Sequence, residues 1–441
     1  MRKHIIAILA VGCVASCSLD VPDLNNPGLD TLADHPTRSA IAAASTGLLI
    51  SLRNNLAERT GYVSLLGILG RESYVLDPAD PRFVSELMSA PDISPGSAAF
   101  GGNLWAGPYA GIRNAELILA ALNAIGGDMT DAEKGATRGY VKTIEALEYL
   151  IIYNTRYDLG GVIVHSSDPN VLDPIVTKAD MENYIVTLLD DAQTSLTTGG
   201  DEFPFPLSSG FDGFNTPTTF IKFNRAVKAR VSVYVGEYAR ALTELGESFI
   251  SEVDATPNFD VGVYNVYRSA GGDLTNNLVD ATIYAHPSIF ATAHKDTGGM
   301  VDDARVLAKV SVLDTPFTAN GHTASENFNM YTITTPIAII RNEELILLKA
   351  EAEIQTNALG AALVDLNFVR THSGGLPPYA AFASKDEAIA ALIYERRYSL
   401  LFEGGNRWID SRRLGKLADL PPDDGFIHPN MPIPTPETQP R

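Results

Sequence analysis

The chain has 441 residues, with 53 acidic side chains against 33 basic ones and a formal charge of −20. So acidic a protein is poorly suited to nucleic acid, which is bound by neutralising phosphates, or to adsorption on anionic lipid. Hydrophobic residues make up 45% of the chain, enough for a large core, while the two cysteines, Cys13 and Cys17, exclude a disulfide framework and a cysteine-rich metal site.

Met1-Arg2-Lys3-His4 is a basic start, and Ile5 to Ser16 is an uncharged apolar run. The run is much shorter than the ~20 residues that a spanning helix needs, so it reads as a secretory signal. Val14-Ala15-Ser16-Cys17 resembles a lipobox: small residues fit a peptidase cleft, and the thiol receives the lipid. Residues 1–16 are therefore expected to be a signal peptide and Cys17 the lipidation site, which leaves a mature chain of charge −22 after loss of Arg2 and Lys3. Residues 17–36 are rich in Pro, Asn and Asp and predict an extended tether. Several acyl chains would hold such a protein stably to a membrane. No later run is long and apolar enough to span one.

Helical periodicity then recurs. Ile112, Ala115, Leu119 and Leu122 mark one stripe, and Tyr140, Ile144, Leu147 and Ile151 another. The clearest is Met181, Tyr184, Ile185, Leu188, Leu189, Ala192 and Leu196, opened by Thr177 with Asp180 in capping-box spacing. Thr216-Pro217 starts the next helix, with a cap residue before proline at the first helical position. Its stripe of Phe220, Phe223, Val227, Val231 and Tyr234 is followed, after Gly236, by Tyr238, Ala241, Leu245 and Phe249, which predicts a helical hairpin. Further helices are expected at about 338–356, 358–371 and 385–404, the last capped by Ser384 with Glu387. Irregular excursions are expected at about 75–104, 198–216 and 255–335; loops of that length usually carry function or are disordered. The reading is one mainly α domain over 37–441, built on helix pairs of roughly TPR size with a large loop-rich region.

The sequence has no HExxH, GxSxG, P-loop or post-strand GxGxxG pattern, and its eight histidines are scattered. No enzyme, metal or cofactor is expected. The sharpest signal is charge on core-facing stripes. Arg341, Glu344, Leu348 and Glu351 share one helix face; Leu363, Leu366, Asn367 and Arg370 share another. Ile389, Leu392, Ile393, Arg396 and Leu400 align on a third, followed by Glu403, Arg407, Trp408 and Asp410. Ions on apolar stripes must be paired, because a lone buried charge is very costly. A structural ion network is expected in preference to a binding site.

The same residues carry a family resemblance. Glu395-Arg396-Arg397-Tyr398-Ser399-Leu400-Leu401-Phe402-Glu403-Gly404, with Arg407, Trp408 and Asp410, resembles the ER..EL..EG.R..D signature of the SusD/RagB family of outer-membrane nutrient-binding lipoproteins. Arg341-Asn342-Glu343-Glu344 with Ala350-Glu351-Ala352 is similar to its R..E..L..AEA helix, and Leu366-Asn367-Phe368-Val369-Arg370 to its LN.vR segment. Trp105, Tyr109, Ile112 and Asn114 resemble its W...Y..I..N pattern, and Pro432-Ile433-Pro434 a motif near its C-terminus. Ser399 departs from the family's Glu, Gly405-Asn406 adds a residue, and Tyr157-Asp158-Leu159-Gly160-Gly161-Val162 lacks the usual proline.

The resemblance implies a TPR-like helical scaffold with a loop-rich ligand face, acting as a lid on a SusC-like TonB-dependent transporter in the outer membrane. It implies an oligosaccharide ligand, or in some members a peptide. Aromatics stack on sugar C–H faces while amides, carboxylates and guanidinium groups meet hydroxyls. Suppliers of such contacts in the irregular regions are Arg71, Glu72, Tyr74, Arg82 and Phe83, then Phe203, Phe205, Phe211, Tyr264, Tyr267 and Tyr284. Trp105 and Trp408 are expected to be structural. The alternative reading is a lipid-anchored helical-repeat scaffold for other envelope proteins.

Overall fold

The computed structural model describes residues 32, 35–166, 173–253, 255, 257–423 and 425–438. Cys17, the signal segment and most of the tether lie outside the described residues. The first helices are α1 (Arg38–Arg53) and α2 (Tyr62–Leu69), followed by strand β1 (Ser73–Val75) and a single turn, α3 (Arg82–Ser85). The next are α4 (Ala106–Ala124) and α5 (Asp131–Arg156), then strands β2 (Gly161–Val162) and β3 (Ile175–Val176), α6 (Lys178–Thr197), α7 (Pro217–Tyr234) and α8 (Tyr238–Glu247). Local chemistry sets several of the starts. Thr37 caps α1 by accepting from the Ala40 amide, and Thr130 with Glu133 and Thr177 with Asp180 form reciprocal capping boxes on α5 and α6. Thr216 and Thr219 do the same for α7, where Pro217 occupies the first turn without needing its missing amide donor.

Neighbouring helices pack in sequence: α1 on α4, α4 on α5, α5 on α6, α6 on α7 and α7 on α8. On α6 the residues Met181, Ile185, Leu188, Leu189, Ala192 and Leu196 are all buried. The helical series then resumes on the far side of a long excursion. Helix α8 packs on α11 (Asn342–Gln355), which meets α12 (Leu359–His372) and α13 (Lys385–Ser399). Among these last helices Ile346, Leu347, Ile354, Leu366, Val369 and Leu392 form a second apolar core beside the main one. The fold is mainly helical, with no helix among the described residues long and apolar enough to cross a membrane.

The excursion holds β4 (Gly262–Asn265), β5 (Ile283–Ala285), α9 (Ser288–Thr292), α10 (Ala304–Lys309), β6 (Val310–Ala319), β7 (His322–Phe328) and β8 (Ile337–Arg341). Strands β1, β5, β7 and β6 form an antiparallel sheet in that order, and β4 pairs with β8. The β6–β7 hairpin turns on Asn320 and Gly321, both at positive φ, as a tight two-residue turn requires.

Two helix boundaries differ from the sequence reading. Residues 338–341 are strand because β4 supplies their hydrogen-bonding partners; Arg341, still extended at φ −137°, is the N-cap of α11. The helix expected to reach 404 stops at Ser399. Gly405 turns the chain at φ +72°, where a Cβ would strike Leu66, before α14 (Asn406–Arg413) begins.

Beyond α14 the chain folds back as a strap. The amides of Phe426 and Met431 donate to the carbonyls of Met88 and Thr155, at 2.6 and 2.8 Å. Trp408, fully buried, donates its indole N–H to the His428 carbonyl at 2.8 Å.

Candidate ligand-binding face

Charges on the C-terminal stripes meet as ion pairs, several with partners that the stripes do not contain. Arg341 donates to Glu403 and Glu343 and to the Ser399 carbonyl, and Arg396 holds Asp410 at 2.6 Å. Glu344 receives both arms of Arg230 on α7, at 2.6 and 2.7 Å. Glu351 takes Arg413, while Arg370 and Arg305 share the fully buried Glu395. Ser399 donates to Glu343 at 2.7 Å and accepts from Arg305. Burial alone would raise the Glu403 carboxyl, but Arg341 and Lys309 pull it down to about 2. Asp410 is lowered by Arg396 and Arg413 against the same burial cost. Arg407 differs, since no carboxylate lies within ion-pair distance of it among the described residues.

Most of the side chains suggested as ligand contacts are packed away. Arg71, Glu72, Tyr74, Phe83, Phe205, Phe211 and Tyr267 are buried and present no surface to a ligand. The reason is that the irregular segments wrap over the helices. Phe203 and Phe205 pack on Tyr140, and Phe211 stacks on Phe220. Arg71 is a clamp on the strap. Its guanidinium donates to the carbonyls of Ile68, Pro421 and Phe426 and pairs with Asp423 at 3.0 Å. Arg156 and Arg412 clamp the same segment, donating to the Pro432 and Pro429 carbonyls, without an ionic partner among the described residues. Burial lowers their guanidinium groups to about 9 and about 10. Glu72 is pushed up by burial to about 7, only partly offset by Arg407. Tyr264, on β4, is half-buried and donates its hydroxyl to the Asp260 carbonyl. Trp105 is buried beneath the Arg156 guanidinium.

Arg82 is exposed and Tyr284 half-buried. Tyr284 on β5 stacks on Phe317 of the edge strand β6, with ring centres 5.2 Å apart and planes 13° from parallel. Both rings are half-buried. The pairing of β6 with β7 breaks between Val312 and Phe317, around Pro316, which cannot donate to a ladder. At the hairpin tip Asn320 donates to the Asp77 carbonyl at 2.9 Å, and Arg59 donates to the Asp77 carboxylate at 2.6 Å while covering the Phe83 ring. Exposed Arg82 chelates Asp80 through two bonds of 2.7 Å. Beside it lies an open hollow of about 440 Å³, lined in part by Glu86, Asp92, Ser94 and Ser97. A second hollow lies near Tyr62, Asn154 and Arg230. The sheet edge therefore carries a flat aromatic pair and a hairpin tip tied to Asp77, while Arg82 and Asp80 stand by the open hollow. Phe317, Asn320, Asp77 and Arg59 were missed by the sequence reading. Asn320-Gly321 between two β-prone runs is the signal that could have found the hairpin.

The SusD family model matches residues 311–424. No curated protein matches the sequence. Solved structures are similar over nearly the whole chain. A SusD-like protein of Bacteroides fragilis has a TM-score of 0.69 at 15% identity, covering 93% of this chain and 97% of that one. Surface glycan-binding protein A of Bacteroides thetaiotaomicron, in complex with laminarihexaose, has a TM-score of 0.68 at 14% identity, covering 91% and 97%. A laminarin-binding SusD-like protein has a TM-score of 0.64 at 17% identity, covering 90% and 96%. At such identities the likeness is one of fold.

Proposed function

We propose that the chain, whose residues 311–424 match the SusD family model, is a SusD-like surface lipoprotein that binds an oligosaccharide and passes it to a SusC-like TonB-dependent transporter. Cys17 carries the lipid, the outer membrane is the site of anchorage, and the folded body acts as a lid on the barrel. Capture and release need no bond made or broken. The observation that carries the reading is the half-buried Tyr284–Phe317 stack, with Asn320 and Asp77 joined at the tip of the same hairpin. An aromatic plane matches the C–H face of a sugar ring, and these polar groups suit its hydroxyls. Two glycan-binding proteins of similar fold support a saccharide over a peptide.

Isothermal titration against a panel of oligosaccharides, laminarin-type glucans included, tests the reading. Phe317→Ala and Tyr284→Ala should each weaken the binding found by about tenfold, ~1.4 kcal/mol, while the fold is kept. No binding across the panel, or binding indifferent to both changes, overturns it. Metabolic labelling with palmitate of wild type and Cys17→Ala tests the anchor.

A further inference from the structure

We propose that Arg397, Arg407 and Ser288 form a subsite for an anionic group, the sulfate or carboxylate of an acidic saccharide. The two guanidinium groups come from α13 and α14 and converge on one hydroxyl. Arg397 Nη2 donates to Ser288 Oγ at 2.9 Å, and Arg407 Nη1 donates to the same atom at 3.3 Å. Their other bonds go to neutral oxygens: Arg397 donates to the Thr292 hydroxyl and Arg407 to the Arg71 carbonyl. Neither has a carboxylate within ion-pair distance among the described residues, whereas Arg230, Arg305, Arg341, Arg370, Arg396 and Arg413 all do. In a chain of charge −20, two such adjacent cations are conspicuous.

The surroundings leave positive charge over. Arg71 is a third guanidinium nearby, and Asp423 is already engaged by it and by His286, at 3.0 and 2.8 Å. His286 Nδ1 accepts from the Ser288 amide at 3.0 Å, and burial lowers its pKa, so the ring is neutral. Among the described residues Glu72 is the other acid facing Arg407 and Arg397, and burial favours its protonated form. Arg397 and Arg407 are both half-buried, so the cluster is reachable from solvent while partly shielded. Arg397 Nε is buried without a partner. An oxyanion would accept from both forks in charge-assisted bonds and balance the excess.

The subsite follows the proposed platform along the chain. Ser288 is four residues beyond Tyr284, and the His286 ring packs at a tilt against Tyr74, 4.5 Å between centres, Tyr74 being the cross-strand partner of Tyr284. As an assignment of ligand class the inference rests on the saccharide reading, but the anion site can be tested without it.

Titration of the protein with sodium sulfate at constant ionic strength, followed calorimetrically, should give saturable binding that Arg397→Gln weakens at least tenfold. General stabilisation by sulfate is not saturable and would be the same in both proteins. The second arm compares sulfated or uronic oligosaccharides with neutral ones, the acidic members binding at least tenfold more tightly and losing that advantage in Arg397→Gln. A neutral glycan that binds while sulfate does not, or sulfate binding indifferent to Arg397, overturns the subsite and leaves the saccharide reading standing. Sulfate binding without binding of any glycan keeps the subsite and removes that reading.

Discussion

Two groups of carboxylates, one in each helical half of the protein, titrate in opposite directions, while Asp365 and Glu353 beside Lys349 in the C-terminal half are raised despite their cation. In the C-terminal half Glu403, Glu343 and Asp410 sit below the ordinary carboxylate range, because the guanidinium groups beside them outweigh burial. In the N-terminal half Glu145 and Glu148, buried on α5, have no cation in contact among the described residues. Burial raises Glu148 to about 8, against a hydrogen bond with Ser51. It raises Glu145 well above its ordinary value, with Glu116 adding to the effect. Gly111 on α4 makes the room, since a Cβ there would lie 2.5 Å from Glu148 Oε1. Burial pushes each of these carboxyls up, and close guanidinium groups reverse the shift at Glu403, Glu343 and Asp410.

The largest effect expected is at the pair joining the two halves. Arg230→Leu leaves Glu344 buried alone and should cost ~3–5 kcal/mol in urea unfolding, most of it recovered when Glu344→Leu is added. A single variant as stable as wild type would remove the distinction. Next are the pH profiles. Glu148 holds a proton in the folded state up to about 8 that the unfolded chain sheds near its ordinary value of 4.5. Its contribution is therefore full at low pH and falls as pH rises through that window. Glu403, lowered to about 2, contributes fully above 4.5 and less as pH falls towards 2. Wild type should thus lose stability on both sides of about pH 5. Glu148→Gln should flatten the alkaline limb and Glu403→Gln the acid one, measured by denaturant midpoints across pH 3–9. Limbs unchanged by these substitutions would refute the opposed titration. The smallest effect belongs to the aromatic platform, where Phe317→Ala should change stability by ~0.5 kcal/mol or less while weakening ligand.

The helical scaffold was readable because its code is local. Thr177 with Asp180 and the stripe from Met181 to Leu196 lie within one helix, so periodicity and capping chemistry suffice. Charges on the C-terminal stripes were visible for the same reason, but their partners were not. Glu344 meets Arg230 from 114 residues away and Glu351 meets Arg413 from 62, distances that spacing along a helix does not encode. Glu145 and Glu148 went unremarked because they lie beside the stripe of Tyr140, Ile144, Leu147 and Ile151. The ligand face was the least legible part. Loop aromatics such as Phe205 and Phe211 look alike in sequence whether a segment faces water or folds back onto Tyr140 and Phe220. Only long-range pairing put Phe317 against Tyr284.

The strap gives the protein a direction in time. Arg71, Arg156 and Arg412, with the Trp408 indole, all spend hydrogen bonds on carbonyls between residues 421 and 432. A chain that emerges N-terminus first holds these donors inside an unfinished core, where unsatisfied polar groups are costly, until that segment arrives. The helical layers can begin to form early, but the latch comes last. Until residues 421–432 are in place these donors lack their carbonyls, so the helical layers gain their final rigidity only with that segment.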